Sequence, residues 1–152
     1  MKAFALGLAA SVLLAAATAH APRAWAVDNL SSKDAPDLTS ARAKIKAKDY
    51  KGAIAELTPM LVTNQHADVY NLMGFSLRKT GDYKQAYTFY RKALDFNPEH
   101  KGALEYLGEL YVETGEVEKA KENVALLQKI CPAGCEELED LREAIAQAPK
   151  TN

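Results

Sequence analysis

Two consecutive stretches of this 152-residue chain carry one residue pattern that repeats every 34 positions. The stretches cover residues 67–100 and 101–134. Corresponding positions hold similar side chains, as in the pairs Tyr70 and Leu104, Met73 and Leu107, Gly74 and Gly108, Gly81 and Gly115, Ala86 and Ala120, and Pro98 and Pro132. A period of this length is typical of repeat proteins, in which each copy is one supersecondary unit that buries its apolar face against the next.

The pattern inside one copy predicts two helices joined by a tight turn. Apolar residues within 70–77 fall on a single helical stripe. Gly81 stands where the first helix must end, because glycine tolerates the left-handed conformation found at helix C-termini. Asp82 can cap the second helix, with Gln85 as its partner in a capping box. Pro98 then ends that helix, so each copy should be a helical hairpin.

These residues closely resemble the tetratricopeptide repeat. In residues 67–100, "YNLMG" followed by "AYTFYRKAL" and "NP" meets nearly all of that family's pattern. The resemblance extends over residues 67–134. It implies an all-α fold, a right-handed α-solenoid of about three helical hairpins with a C-terminal capping helix.

The flanking segments complete this predicted array. Residues 34–66 should form a degenerate first repeat, since "DYKGAIAELTPML" echoes "DYKQAYTFYRKAL" in the next copy. Lys48 replaces the turn glycine there, and Pro59 should kink the second helix. Residues 135–147 have an amphipathic pattern and should form the capping helix, which makes seven helices in total.

The N-terminal sequence has the layout of a secretory signal peptide, which we assign to residues 1–26. Lys2 is followed by an uncharged apolar run and then by small residues in Ala-x-Ala spacing. Cleavage after Ala26 would leave 17 basic and 20 acidic residues, with no further segment that could span a membrane. Residues 27–33 and 148–152 should be flexible ends.

In the resembled family, a concave groove is lined mainly by the first helix of each repeat. Carried over position by position, the groove should present Arg42, Ile45, Lys46, Asn71, Phe75, Arg78, Lys79, Glu105, Glu109, Val112 and Glu113. The three glutamates follow at intervals of four residues and form one acidic ridge, which Lys101 relieves only at one end. The ridge is either a solvated face or the acidic end of a groove that is basic at its other end.

The only two cysteines of the chain, Cys131 and Cys135, enclose Pro132 and Gly134. In an oxidising compartment such a pair is normally bridged, and two residues four apart across a turn lie about 6 Å apart, within disulfide reach. A bridge would hold the capping helix on the repeats. Two alternatives remain open, namely thiolates that hold copper(I) and redox chemistry at Cys135, which opens a helix.

The ending "CPAGCEE" after a repeat array is similar to small exported tetratricopeptide proteins of Gram-negative bacteria, which implies a periplasmic location. Catalysis is not expected and no cofactor or metal is predicted, because phosphate-loop, metal-ligand and nucleophile motifs are missing from the sequence. The mildly acidic charge does not suit nucleic acid. The predicted function is a periplasmic scaffold that binds a protein or peptide, or a second copy of itself. The alternative is a thiol-dependent copper carrier or redox protein using the cysteine pair.

Overall fold

The structure, a computed structural model, describes residues 35–149. The predicted signal peptide, residues 27–33 and the last residues of the predicted tail lie outside this range. Within it the chain forms seven α-helices and no strand: α1 (Thr39–Lys46), α2 (Tyr50–Thr63), α3 (Ala67–Lys79), α4 (Tyr83–Phe96), α5 (Lys101–Glu113), α6 (Val117–Ile130) and α7 (Glu136–Ala146). The prediction of an all-α solenoid with three hairpins and a capping helix is confirmed.

The helices stack in the order in which they occur along the chain. Each hairpin pairs its own two helices, and successive hairpins meet through α2 and α3, through α4 and α5, and finally through α6 and α7. The first helices also contact one another in a row, from α1 to α3 to α5 to α7. A buried apolar cluster runs through the stack from Leu38 to Leu141. None of the helices in residues 35–149 is long and apolar enough to cross a membrane.

The turn inside each hairpin has a residue in the left-handed backbone conformation. Gly81 and Gly115 have φ values of 87° and 81°, and Lys48 has a φ of 61° in the degenerate first repeat. In the second hairpin the amide of Asp82 donates to the carbonyl of Leu77 at 3.0 Å, the bond that closes a Schellman motif. Lys48 therefore adopts the turn geometry that glycine has in the other two repeats, at the steric cost of its side chain.

Two glycines allow close packing between helices. A Cβ atom at Gly74 would lie 2.8 Å from the ring of Tyr90 on α4. A Cβ atom at Gly108 would lie 2.5 Å from Leu141 on α7. The repeat glycine thus brings α4 onto α3 in one unit and the capping helix onto α5 in the next.

Side-chain caps start most of the helices. Asp82 accepts from the amide of Gln85 at 3.1 Å, as the sequence predicts, and Asp49 caps α2 in the same way. Both histidines of the described region are also caps. His66 accepts from the amide of Asp68 at 3.2 Å, and His100 accepts from the amide of Ala103 at 3.1 Å.

Candidate partner-binding groove

The row of first helices, α1, α3, α5 and α7, carries three neighbouring cavities, and we call this surface the groove. The N-terminal cavity, of about 210 Å³, is lined by Arg42, Ile45, Lys46, Leu72, Phe75 and Tyr106. The central cavity, of about 300 Å³, shares Arg42, Leu72 and Tyr106 with it and extends to α7. The C-terminal cavity, of about 220 Å³, lies between Glu109 and α7. A ligand in the groove can therefore contact all three repeats and the capping helix.

The structure distributes the predicted groove residues among these cavities. Four of them, Arg42, Ile45, Lys46 and Phe75, line the N-terminal cavity. Asn71 and Glu105 line the central cavity, and Glu109 lines the C-terminal one. The remaining four, Arg78, Lys79, Val112 and Glu113, line none of these three cavities.

Arg78 is buried rather than available in the groove. Its side chain is 1 % exposed, and its guanidinium donates to Glu113 at 2.9 Å and to Glu109. The guanidinium carbon also lies 5.6 Å from the ring centroid of Phe75 and 5.8 Å from that of Tyr106, a favourable arrangement for cation–π attraction. Arg78 thus ties the second repeat to the third.

This ion pairing corrects the sequence-based description of the acidic ridge. Lys101 was expected to relieve the ridge at one end, but its ammonium lies 3.5 Å from Glu137 on α7. The charges of Glu109 and Glu113 are instead opposed by Arg78 of the preceding repeat. Sequence spacing within one helix could not reveal this contact, because the partner lies 31 to 35 positions away along the chain.

Glu105 differs from its two ridge neighbours. The residue is only 7 % exposed, and among residues 35–149 its carboxylate has neither an ion pair nor a hydrogen bond within the distances that define one. Burial raises its pKa to about 8, with further contributions from the negative charges of Glu109, Asp140 and Glu137. Burial and the nearby Glu105 and Glu109 likewise raise the pKa of Tyr106 to about 12.

A second buried polar residue, Asn71, lines the same cavity as Glu105. Asn71 is 5 % exposed, lines the central cavity, and has an amide oxygen with no hydrogen-bond partner. Its position is confined by the start of α5, since a Cβ atom at Gly102 would lie 3.3 Å from the Asn71 amide nitrogen. Buried polar atoms normally find a partner, so the Asn71 amide oxygen is an unsatisfied acceptor in the wall of this cavity.

Asp68, the acidic residue that α3 contributes to the central cavity, already has partners within the chain. The Asp68 carboxylate accepts a hydrogen bond from His100 at 2.8 Å and lies 3.8 Å from the Arg42 guanidinium. The His100 hydrogen bond is the main reason that the pKa of Asp68 is lowered. Asp68 is therefore engaged within the chain.

The capping helix supplies groove residues that the sequence reasoning missed. Glu136, Glu137 and Asp140 line the central cavity, and Asp140 and Glu143 line the C-terminal one. Their spacing of three and four residues places them on one helical face, opposite the buried Leu138 and Leu141. The spacing of these acidic residues is visible in the sequence. It indicates a groove only once α7 is known to pack beside α5 in the row of first helices.

The cysteine pair lies at the junction of α6 and α7. Cys131 is the residue after α6 and Cys135 is the residue before α7. Their Cα atoms are 6.0 Å apart and their sulfur atoms are 2.11 Å apart, a bonding distance. Gly134, with a φ of 94°, makes the turn between them. Within residues 35–149, no group of three or more potential ligands could hold a metal ion.

Comparison with known proteins agrees with this architecture. A family model described as tetratricopeptide repeat matches residues 77–145. The BBSome complex member BBS4 of Bos taurus is 34 % identical over 80 residues, which is 53 % of this chain and 15 % of that protein. The chain thus spans only a small part of that relative.

Among solved structures, the Yersinia enterocolitica type III secretion translocator chaperone SycD has a similar fold. The TM-score is 0.62 at 16 % sequence identity, and the match covers 72 % of this chain and 83 % of the chaperone chain. Residues 35–149 therefore form an all-α helical-repeat fold of the tetratricopeptide type.

Proposed function

We propose that this protein is an exported, periplasmic scaffold that binds a protein or peptide segment in the groove. The observation that carries the proposal is the continuous row of three cavities across α1, α3, α5 and α7, with shared lining residues between neighbouring cavities. Such a surface is long enough for several consecutive side chains of one segment. The concave faces of solenoids are their usual binding surfaces.

The neighbours support the same class of function. The bovine protein BBS4 is a member of a complex, and the Yersinia protein SycD is a translocator chaperone. From these two proteins we infer for this chain only the general activity of binding another polypeptide. A second copy of the chain is one candidate for that polypeptide.

Export is proposed from the N-terminal sequence of residues 1–26 and is consistent with the paired cysteines, since disulfides persist in oxidising compartments. A fusion of alkaline phosphatase to the C-terminus tests this, because that enzyme needs an oxidising compartment to become active. Activity that depends on residues 1–26 is expected. Equal activity without those residues would contradict export.

The copper or redox alternative receives no support from the cysteine geometry. Copper(I) binding needs thiolates, whereas the two sulfur atoms are at bonding distance from each other. A disulfide is also the oxidised state of a redox pair, so its presence does not distinguish a redox role from a structural one. The groove, not the cysteine pair, is therefore the better candidate site.

A pair of matched variants tests the scaffold proposal. Ile45→Ala with Phe75→Ala removes two apolar side chains from the N-terminal cavity, and Val62→Ala with Leu126→Ala removes two exposed apolar side chains from α2 and α6. Affinity capture from a periplasmic extract should recover a partner with the parent and with the α2/α6 variant, but not with the groove variant. Equal recovery by both variants would place binding elsewhere.

A further inference from the structure

We propose that the central cavity binds the cationic side chain of a lysine or arginine that belongs to the polypeptide held in the groove. This inference rests on the proposed function and adds to it the chemistry of the partner. It assigns Glu105 and Asn71 as the residues that receive the cation.

The charges around the cavity favour a cation. Five carboxylates line it, from Asp68, Glu105, Glu136, Glu137 and Asp140, against one arginine, Arg42. Two of the five are engaged within the chain, Asp68 by His100 and Arg42, and Glu137 by Lys101. Glu105, Glu136 and Asp140 have no ion pair within residues 35–149. The cavity therefore keeps an excess of negative charge, although the chain as a whole is nearly neutral.

An independent observation distinguishes this cavity from an ordinary acidic patch. The Asn71 amide oxygen is buried without a hydrogen-bond partner, and Glu105, only 7 % exposed, lines the same cavity without an ion pair to any residue in 35–149. A buried acceptor without a donor destabilises the structure that contains it. Asn71 accepts through its amide oxygen, and Glu105 accepts once its carboxyl is ionised, so a single donor-rich cation satisfies both groups.

A metal ion is a poor alternative occupant. Among the described residues, no three His, Cys, Asp or Glu side chains are close enough together to hold one. An ammonium or guanidinium group makes fewer demands, because it spreads its donors over several acceptors at hydrogen-bond distance. The ring of Tyr106 also lines the cavity, and an aromatic face attracts organic cations.

The neighbouring cavity indicates why the cation should belong to a polypeptide. Leu72 and Tyr106 line both the central and the N-terminal cavity, and the latter adds the apolar surface of Ile45 and Phe75. A segment with a basic residue close to an apolar one fits both cavities at once. A free polyamine would leave the apolar cavity empty, so we assign the site to a polypeptide.

Cation binding should be coupled to proton release from Glu105. Its raised pKa means that the vacant cavity holds a protonated carboxyl near neutral pH, and a bound cation favours the ionised form. Affinity should therefore increase by about tenfold between pH 7 and pH 9. The charged or titratable groups that surround Glu105 come from every first helix. They are Arg42 on α1, Asp68 and Arg78 on α3, His100 at the start of α5, Glu109 on α5, and Glu136, Glu137 and Asp140 on α7.

The test begins with a phage-displayed library of random short peptides, selected on the immobilised full chain. A peptide enriched in this way is then synthesised in two forms, with its basic residue and with a neutral isostere, citrulline for arginine or norleucine for lysine. Calorimetric titration measures both forms against the parent, Glu105→Gln, Asn71→Ala and Glu122→Gln. Glu122 is an exposed glutamate on α6, so its variant is the matched control.

We expect enriched peptides to carry a basic residue near an apolar one. The isostere should weaken binding to the parent by about tenfold or more. Glu105→Gln should weaken binding of the basic peptide to a similar extent, remove the pH dependence and bind both forms equally. Asn71→Ala should weaken binding less, and Glu122→Gln should leave it unchanged.

Other results separate the two proposals. Enriched peptides without basic residues, or full affinity in Glu105→Gln, would overturn the cation site while the scaffold stands. A library that yields no groove-dependent peptide would count against the scaffold itself. Spermidine that binds as tightly as the selected peptide would overturn the assignment to a polypeptide and indicate a free-amine receptor.

Discussion

Two buried charged residues of the first helices, Arg78 on α3 and Glu105 on α5, differ in whether an opposite charge within the chain pairs with them. Arg78 is buried and paired with Glu109 and Glu113, so its charge holds repeats together. Glu105 is buried without such a partner and keeps a raised pKa. The ion pairs of Arg78 have a structural role. A buried carboxyl without an ion pair lowers stability, so Glu105 is better explained as a residue that binds a ligand.

Glu105→Gln should stabilise the protein at alkaline pH. The carboxyl titrates near 4.5 when unperturbed and near 8 in the folded chain. The folded state therefore holds a proton that the unfolded state has lost, and the free energy of unfolding falls as pH rises through this interval. Urea titrations should show parent and variant nearly equal at pH 5, with the variant about 1–3 kcal/mol more stable at pH 9. A constant difference across this range would contradict the raised pKa.

Replacing both Arg78 partners should destabilise the fold. Glu109→Gln with Glu113→Gln leaves a buried guanidinium without a counter-charge, which should lower the free energy of unfolding by about 1–3 kcal/mol. The control, Glu118→Gln with Glu122→Gln, removes two exposed glutamates of α6 and should change stability by less than about 0.5 kcal/mol. Equal denaturation midpoints for the two variants would show that the ion pairs contribute little.

At the scale of the elements, α7 has two roles. It covers α5 and α6 through its apolar face, and it brings Glu136, Glu137 and Asp140 into the central cavity. Leu141 occupies the space that Gly108 leaves on α5. The cysteine pair joins the end of α6 to the beginning of α7. Packing, the disulfide and groove chemistry therefore depend on the same helix.

A double-mutant cycle tests how α7 is held against α5. Gly108→Ala places a methyl group within 2.5 Å of Leu141 and should cost about 1–3 kcal/mol, because the leucine must move. In the Leu141→Ala background the same change should cost much less, since the clash is removed. Chemical denaturation of the four proteins gives the coupling energy. Strict additivity would show that the two residues are not in contact.

Removing the disulfide should loosen α7 without unfolding the repeats. The closed loop is short, so Cys131→Ser with Cys135→Ser should lower stability by about 2 kcal/mol or less. Amides of α7 should exchange faster with deuterium than in the parent, while those of α3 and α4 should be nearly unchanged. Equal protection of α7 in both proteins would show that packing alone holds the helix.

At the scale of the whole molecule, the ends of the repeat stack differ from its middle. The first repeat has Lys48 at the turn and Pro59 inside α2, and the last repeat is closed by α7. Terminal units of a solenoid must present a polar outer face, because the next repeat is missing. The single-helix cap meets this need with acidic residues on one face and leucines on the other.

A chain that ends after residue 134 should self-associate. Loss of α7 exposes the apolar surfaces of α5 and α6 that it covers, and a second copy offers the same surface. Light scattering after size-exclusion chromatography should show a larger mass for the shortened chain than for the full chain. Equal masses at matched concentrations would indicate that the covered surface is too small to drive association.

The sequence by itself determined the helical hairpins, the glycine turn that ends α3, the Asp82 cap and the location of the cysteine pair before the last helix, because each depends on residues close together in sequence. The tertiary structure decided which charges remain available. Arg78 reaches Glu109 and Glu113 from the preceding repeat, Lys101 turns to Glu137, and α7 adds carboxylates around Glu105. Ion pairing and burial depend on distances between elements, and sequence periodicity does not contain those distances.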